Sequence, residues 1–354
     1  MVRTSAIDGT LADLGWRQYF QSQLSGLESC ELLPVRVIGV ERNKLIVAGL
    51  PDTQTLPLLR NLVVDNELTV TVGDWLLVDP ECQLPIRVLE RFGIFRRKAA
   101  GTGRHIQLIA ANVDTLFIIT SADADFNLAR LERFLTLARE GQANPVIVIS
   151  KADLHDDVAT LVSQITTLGA PVEAVDTRNT ESVTVLRPWC IAGQTVAVVG
   201  SSGVGKSTLV NTLSNAGQLT RGVRQFDGKG RHTTTSRSMH RLRDGGWIVD
   251  TPGMRELQLF GVEEALGDVF TEITELAEMC RFSDCSHESE PGCAVRTAIN
   301  DGRIDSERLK RLRKLQSEDY RHTASLAERR ARERAQGQLY KNIQQATRKR
   351  KQGD

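Results

Sequence analysis

The sequence predicts an α/β protein in three parts: a small β-barrel, a doubly wound domain around a phosphate-binding loop, and a small metal-stabilised helical module with a basic tail. Three observations carry this. Short β-patterned runs crowd residues 34–89, strand and helix patterns alternate from 113 to 250, and three cysteines cluster with a histidine between 280 and 293. The alternation is what a parallel sheet with crossover helices requires. The stretch that organises the middle part is Gly200, Ser201, Ser202, Gly203, Val204, Gly205, Lys206, Ser207 and Thr208, which fits G-x-x-x-x-G-K-S/T in full. An apolar run at 195–199 reads as the strand before it, and Leu209, Val210 and Leu213 mark one face of the helix after it. The glycines let backbone N–H groups wrap a phosphate chain at the positive end of that helix. Lys206 would then reach the β- and γ-phosphates, and the Ser207 hydroxyl would be a ligand for Mg²⁺.

The whole chain sets the bounds. Its 354 residues allow two or three cores, and 40% hydrophobic with 25% charged residues is ordinary for a globular protein. Residues 1–16 carry acidic groups and no apolar stretch of signal-peptide type, and no apolar run reaches membrane-spanning length. The expectation is a cytoplasmic protein with no membrane partner. The formal charge of +1 hides an asymmetry, since residues 303–354 hold 16 Lys and Arg against 7 Asp and Glu.

In chain order, residues 11–24 have the spacing of a short amphipathic helix. Strand patterns follow at 34–40, 44–48, 68–72, 75–78 and 86–89, separated by Gly, Asn, Asp and Pro. Such a series suits an OB-fold, with an SH3-like barrel as the alternative. Residues 95–104, basic and glycine-containing, read as a linker that either contacts phosphates or is simply solvated. Strands are then expected at 113–120, 145–149, 172–175, 195–199 and 246–249, with helices at 128–140, 156–168 and 207–214. The expected boundaries are 1–33 for an N-terminal extension, 34–92 for the barrel, 93–104 for the linker, 105–262 for the nucleotide domain, 263–300 for the metal module and 301–354 for a basic helical arm.

Two further motifs sit at strand ends. Asp250-Thr251-Pro252-Gly253 has the form D-x-x-G, whose Asp stands in the second shell of Mg²⁺ and whose Gly N–H faces the γ-phosphate. Ser150-Lys151-Ala152-Asp153 resembles N-K-x-D, the guanine-reading motif, with Ser150 in place of Asn. Asp153 would accept from the guanine N1–H and exocyclic amine, Lys151 would cover the ring, and a short hydroxyl would make part of the tie that the amide makes between base loop and phosphate loop. The base motif precedes the phosphate loop, so the order is circularly permuted. Between them and Asp250 lies Gly228-Lys229-Gly230-Arg231-His232-Thr233-Thr234-Thr235, read as a switch loop with Thr234 chosen among three threonines as the Mg²⁺ ligand. Met254 follows Gly253 and cannot orient an attacking water by hydrogen bonding, which leaves His232 as the local candidate.

Cys280, Cys285, His287 and Cys293 supply four ligands within fourteen residues, enough for one closed, structural Zn²⁺ site. Beyond it, Ile304, Leu309, Leu312 and Leu315 among arginines and lysines suggest a basic helix, and a second charged stretch runs from 326 into Arg348, Lys349, Arg350 and Lys351. Such arms bind RNA phosphates.

Taken together, the motif order and the cysteine-histidine run resemble the ribosome small-subunit-dependent GTPase family RsgA over nearly the whole chain. The resemblance implies an N-terminal OB-like barrel, a circularly permuted P-loop GTPase domain and a small zinc module. It also implies a late assembly factor for the 30S ribosomal subunit that binds 16S rRNA, uses GTP with Mg²⁺, acts as a monomer and leaves as GDP is formed. The family places a catalytic His just before its switch threonines, which falls on His232. The chain departs from the family at Ser150, and at Ala174-Val175-Asp176 where a Ser-Ala motif is expected. Readings from other classes are a zinc-stabilised RNA-binding module that holds guanine nucleotide without hydrolysing it, and a P-loop ATPase or kinase, which Asp153 disfavours.

Overall fold

Only one helical turn, α1 (Gln18–Gln21), stands where an amphipathic helix was expected across 11–24, and a separate helix, α2 (Gly26–Glu31), follows it. The break has local causes. Gly15 adopts φ +91°, a conformation that excludes a helix, and Ser25 starts a new one through a reciprocal capping box with Glu28. Phe20 on α1 is buried among Trp16, Trp75 and Phe92. The computed structural model describes residues 10–41, 43–49, 53–58, 63–64, 67–98, 106–123, 126–214, 237–250, 254 and 257–323. The chain divides into two units, at Leu257 and Gln258.

In the first unit, β1 (Leu33–Val40) is the hub of an OB-like barrel. It pairs antiparallel with β2 (Lys44–Ala48), which continues to β3 (Gln54–Pro57). The short ribbon β4 (Val63–Val64) and β5 (Glu67–Leu68) comes next, and then β6 (Trp75–Val78) pairs with β1 and with β7 (Pro85–Val88). The strand expected at 68–72 gives way after Leu68. The Asp74 carboxylate accepts the Thr71 N–H at 2.8 Å and Gly73 takes φ +89°, so Val70, Thr71 and Val72 are buried in a turn. Where the composition at 95–104 suggested a linker, β8 (Ile94–Lys98) pairs with β9 (Ile106–Ala111). Phe95 is buried while Arg96 and Arg97 keep their side chains half-exposed, so a half-buried strand lies beneath the basic composition.

From here strand and helix alternate. In order come β10 (Thr115–Ser121), α3 (Leu128–Glu140), β11 (Asn144–Ser150), α4 (Val158–Thr166), β12 (Val172–Val175), β13 (Thr195–Gly200), α5 (Lys206–Leu213), β14 (Arg237–Arg241) and β15 (Trp247–Asp250). The sheet order is β12-β11-β10-β13-β15-β14, parallel throughout except for β14. Beyond β14 the ladder continues into β1, with Gly39 opposite Ser238 and Val40 opposite Arg237. The central strands are apolar on both faces because helices cover both. All seven residues of β10 are buried, and Phe117, Val148, Val196, Leu209 and Ile248 belong to one packed cluster. This is the permuted phosphate-loop fold that the motif order predicts.

The second unit holds α6 (Glu263–Val269), α7 (Thr271–Glu278), α8 (Ala294–Asn300) and α9 (Ser306–Thr323). Its small core includes Phe270, Ile273 and Val295 with Leu309, Leu312 and Leu315 of α9. Arg308 lies over the Phe270 ring, 4.9 Å from its centroid, and pairs with Glu272. The stretch 324–354, including the second charged run, lies outside the described residues.

Candidate functional site

The parallel strands end at one edge, and that edge collects the predicted nucleotide residues. Ser121 ends β10, Ser150 ends β11, Val175 ends β12, Gly200 ends β13 and Asp250 ends β15. Register brings them level: Ile119 of β10 lies opposite Gly200, and Ser121 opposite Ser150. This is the crevice at the carboxyl ends of the strands where open α/β sheets bind ligands.

At the phosphate loop two glycines are obligatory for different reasons. A Cβ on Gly200, at φ +145°, would stand 2.3 Å from the Ile119 carbonyl oxygen, so the strand could not pack beside β10. Gly205 takes φ +88° as the residue that turns the chain into α5, wedged between the Thr177 hydroxyl and Ser150. Val204 is buried and anchors the loop in the core, while Ser202 and Gly203 are exposed. Lys206 is buried, its Nζ donating to the Gly200 carbonyl at 2.8 Å and to that of Ser201, so the ammonium is held at the loop's own mouth. Ser207 and Thr208 follow in the first turn of α5. The Arg130 guanidinium of α3 donates to the Ser201 hydroxyl.

The base-loop residues stand next to this loop. Ser150 is fully buried, and its hydroxyl lies within donating distance of two carbonyls, Thr120 at 3.1 Å and Val204 of the phosphate loop at 2.6 Å. The serine thus makes the loop-to-loop tie in spite of its short side chain. Lys151 turns the chain at φ +57° and pairs with Asp123 at 2.8 Å, a carboxylate that also accepts from Ser121 at 2.5 Å. Ala152 and Asp153 form a single 3-10 turn with Leu154. Asp153 Oδ2 accepts from Arg178 at 2.8 Å.

Arg178 belongs to a third loop that the motifs did not identify. After β12, Thr177 is buried, its carbonyl accepts the Thr212 hydroxyl of α5 at 2.7 Å, and its side chain lines Gly205. The loop facing base and phosphate residues is therefore 176–178, shifted by two residues from the Ala174-Val175-Asp176 stretch compared with a Ser-Ala motif and sharing Asp176 with it. The signal that would have found it is positional: it follows the carboxyl end of a parallel strand next to β11.

Asp250 ends β15 beside β13, with Val249 opposite Ala197. Across the β14 pairing, His240 Nε2 lies 3.8 Å from its carboxylate and 3.1 Å from the Ser238 hydroxyl. Burial holds the His240 imidazole below its ordinary value, which keeps it neutral near pH 7. Gly253, His232 and Thr234, with the rest of 215–236 and 251–253, lie outside the described residues. Met254 is buried, at 4% exposure.

The cysteine-histidine group forms one cluster in the second unit, its ligand atoms all within 4.8 Å of one another. Cys280 Sγ is 3.8 Å from Cys293 Sγ, and His287 Nδ1 is 3.6 Å from the first and 3.5 Å from the second. A tetrahedron with Zn–S near 2.3 Å and Zn–N near 2.0–2.1 Å has edges of about 3.8 Å and about 3.6 Å, so the donor set fits a four-coordinate ion of zinc's size. Burial pushes the Cys280 thiol up, but the backbone N–H groups of Val295 and Ala294, with the neighbouring thiols, outweigh it and hold the group below its ordinary value. Burial pushes Cys285 up to about 11. His287 reaches the cluster from a left-handed turn at φ +58°, and Glu290 fixes that turn by accepting from the N–H groups of Ser286, Glu288 and Ser289 at 2.9–3.0 Å and from the Ser286 hydroxyl. No helix among the described residues is long and apolar enough to cross a membrane.

Comparison with known proteins agrees with this geometry. A family model described as RsgA GTPase matches residues 88–260, and one described as ABC transporter matches 189–336, a segment that opens just before the phosphate-loop strand. The small ribosomal subunit biogenesis GTPase RsgA 2 of Vibrio parahaemolyticus is 45% identical over 97% of this chain and 95% of its own length. The small ribosomal subunit biogenesis GTPase RsgA of Mesorhizobium japonicum is 47% identical over 90% of this chain and 92% of its own. Among solved structures, YjeQ from Thermotoga maritima is similar at a TM-score of 0.62 and 25% identity, covering 80% of this chain and 97% of that one. YloQ, described as a circularly permuted GTPase, reaches 0.60 at 22% identity, over 83% and 97%.

Proposed function

We propose, from the premise that this chain belongs to the RsgA family of GTPases, that it hydrolyses GTP at the strand-end crevice while assisting assembly of the small ribosomal subunit. One observation carries the site assignment: the Ser150 hydroxyl within 2.6 Å of the Val204 carbonyl, which binds a guanine-reading loop to a phosphate loop that follows it in sequence. With that contact a single nucleotide spans both loops.

Each residue then has a task. The backbone N–H groups of 201–208 cradle the phosphates, and Lys206 neutralises charge that develops toward the leaving oxygen. Asp153 reads the guanine edge, and the Lys151 stem covers the ring. Ser207, with Thr234 of the switch segment, would hold Mg²⁺, and Asp250 would orient its water shell. Mg²⁺ supplies charge neutralisation on the β- and γ-phosphates. The buried Met254 cannot position the attacking water, so His232 is assigned that part. Cys280, Cys285, His287 and Cys293 would hold one Zn²⁺ as a structural ion, since four protein ligands leave no open position. The relatives' names point to the small ribosomal subunit as partner, and the charge excess of 303–354 supports contact with its RNA in the cytoplasm.

The test is phosphate release from GTP with and without purified 30S particles, for the wild type and His232→Ala. Stimulation by the particles that the variant loses is the expected result. Release that stays at background under all conditions would leave the non-hydrolysing RNA-binding module instead.

A further inference from the structure

Asp153 is the one group assigned to read the guanine edge, and in this structure it already has a partner. Arg178 donates from its NH2 group to Asp153 Oδ2 at 2.8 Å, and its Nε lies 3.4 Å from Asp176 Oδ1. Guanine needs both oxygens of that carboxylate, one for N1–H and one for the exocyclic amine. A guanidinium on Oδ2 holds one of that oxygen's two acceptor positions and part of the carboxylate's charge, and it is for these that guanine competes. Adenine offers no such pair of donors and has no reason to displace the arginine.

The local backbone makes this a built device rather than a stray surface contact. Asp176 Oδ1 accepts the Arg178 N–H at 2.9 Å, the Asp176 N–H donates to the Ser182 hydroxyl at 2.9 Å, and the Asn179 N–H donates to the Asp176 carbonyl at 3.1 Å. The Thr212 hydroxyl ties the same loop to the helix that follows the phosphate loop. The backbone of Arg178 is thus tied down beside both nucleotide loops, while its side chain is 67% exposed. Asp176 gives it a second carboxylate to fall back on, so leaving Asp153 does not strand the charge. A guanidinium between two carboxylates, one of which a ligand can claim, is a two-position element that the ligand biases.

Resting on the nucleotide reading above, we infer that Arg178 is a specificity-determining competitor: it occupies Asp153 until guanine displaces it toward Asp176, and so lowers the preference for guanine over adenine nucleotides. The pair is exposed, so the effect is modest and salt-dependent.

The experiment measures GDP and ADP dissociation constants by calorimetry on the full chain, for wild type and Arg178→Gln, at low and high salt. The variant should bind GDP about two- to fivefold more tightly at low salt, with no gain for ADP, and the gap should close at high salt. Arg178→Gln placed in an Asp153→Asn background should change nothing, because the competed group has gone. Unchanged or weaker GDP binding in the single variant overturns the inference, as does an equal gain for ADP or an additive double variant. Failure of the underlying reading looks different: wild type itself would then bind GDP and ADP alike. Melting temperatures, expected to match because the side chain is exposed, confirm that the variants fold.

Discussion

At the phosphate loop the candidate side chains sit at the ends of buried elements: Ser150 closes β11 and Lys206 opens α5, and both are held by a core that includes Phe117, Val148 and Val196. At the Cys/His cluster, three of four ligands leave irregular backbone between Glu278 and Ala294, and only Cys293 borders a helix, which its sulfur caps through the Arg296 N–H. The first site is arranged by burial of apolar area. The second rests on mostly half-buried ligands in irregular backbone, where an ion held by all four would supply a cross-link that packing does not. One protein thus solves the same positioning problem in two ways, and the two respond to different insults.

Removing the metal should give the largest effect. Structural zinc contributes on the order of 10 kcal/mol, so a strong chelator should release the ion and expose 279–293 to limited proteolysis while GDP binding persists. Loss of GDP binding in step with zinc release would break the contrast. Next in size, Lys206→Ala should lower GTP hydrolysis by about a hundredfold or more, with the melting temperature measured alongside to separate lost chemistry from lost fold. Equal hydrolysis by the variant would remove the phosphate loop from the chemistry.

Two smaller changes sharpen the comparison. Glu290 is not a zinc ligand, yet it accepts three backbone N–H groups of the His287 turn. Glu290→Ala should weaken zinc binding about tenfold, read by competition with a chromogenic chelator, with GDP affinity unaltered. Ser150→Ala deletes the donor shared by Thr120 and Val204 in a fully buried position. A cost of about 1–2 kcal/mol predicts GDP binding weakened roughly tenfold, with zinc affinity unchanged.

What the sequence made legible follows the same division. The phosphate loop, its strand and its helix were readable because their signal is local: glycine positions, an apolar run and a 3.6-residue face within twenty residues. The grouping of Cys280, Cys285, His287 and Cys293 was readable from spacing alone, and the four do come together. Arg178 was not, since its meaning comes from β12 lying beside β11, a pairing that brings residues 153 and 178 together. The β8–β9 ribbon was hidden for another reason. Its arginines and lysine mask the buried Phe95 and Ile109 that make it a strand. The single helix expected at 11–24 failed because a left-handed glycine, Gly15, outweighs helical spacing over so short a span.

The hydrogen bonding of β14 to β15 on one side and to β1 on the other bears on how this protein can be cut. A shortened chain that begins at residue 88, where the RsgA GTPase match starts, would discard β1 and leave β14 as a naked sheet margin. Unpaired margins recruit other strands, so such a fragment should self-associate, and the barrel deserves to be regarded as the molecular selvedge that keeps the catalytic sheet from unravelling into its neighbours.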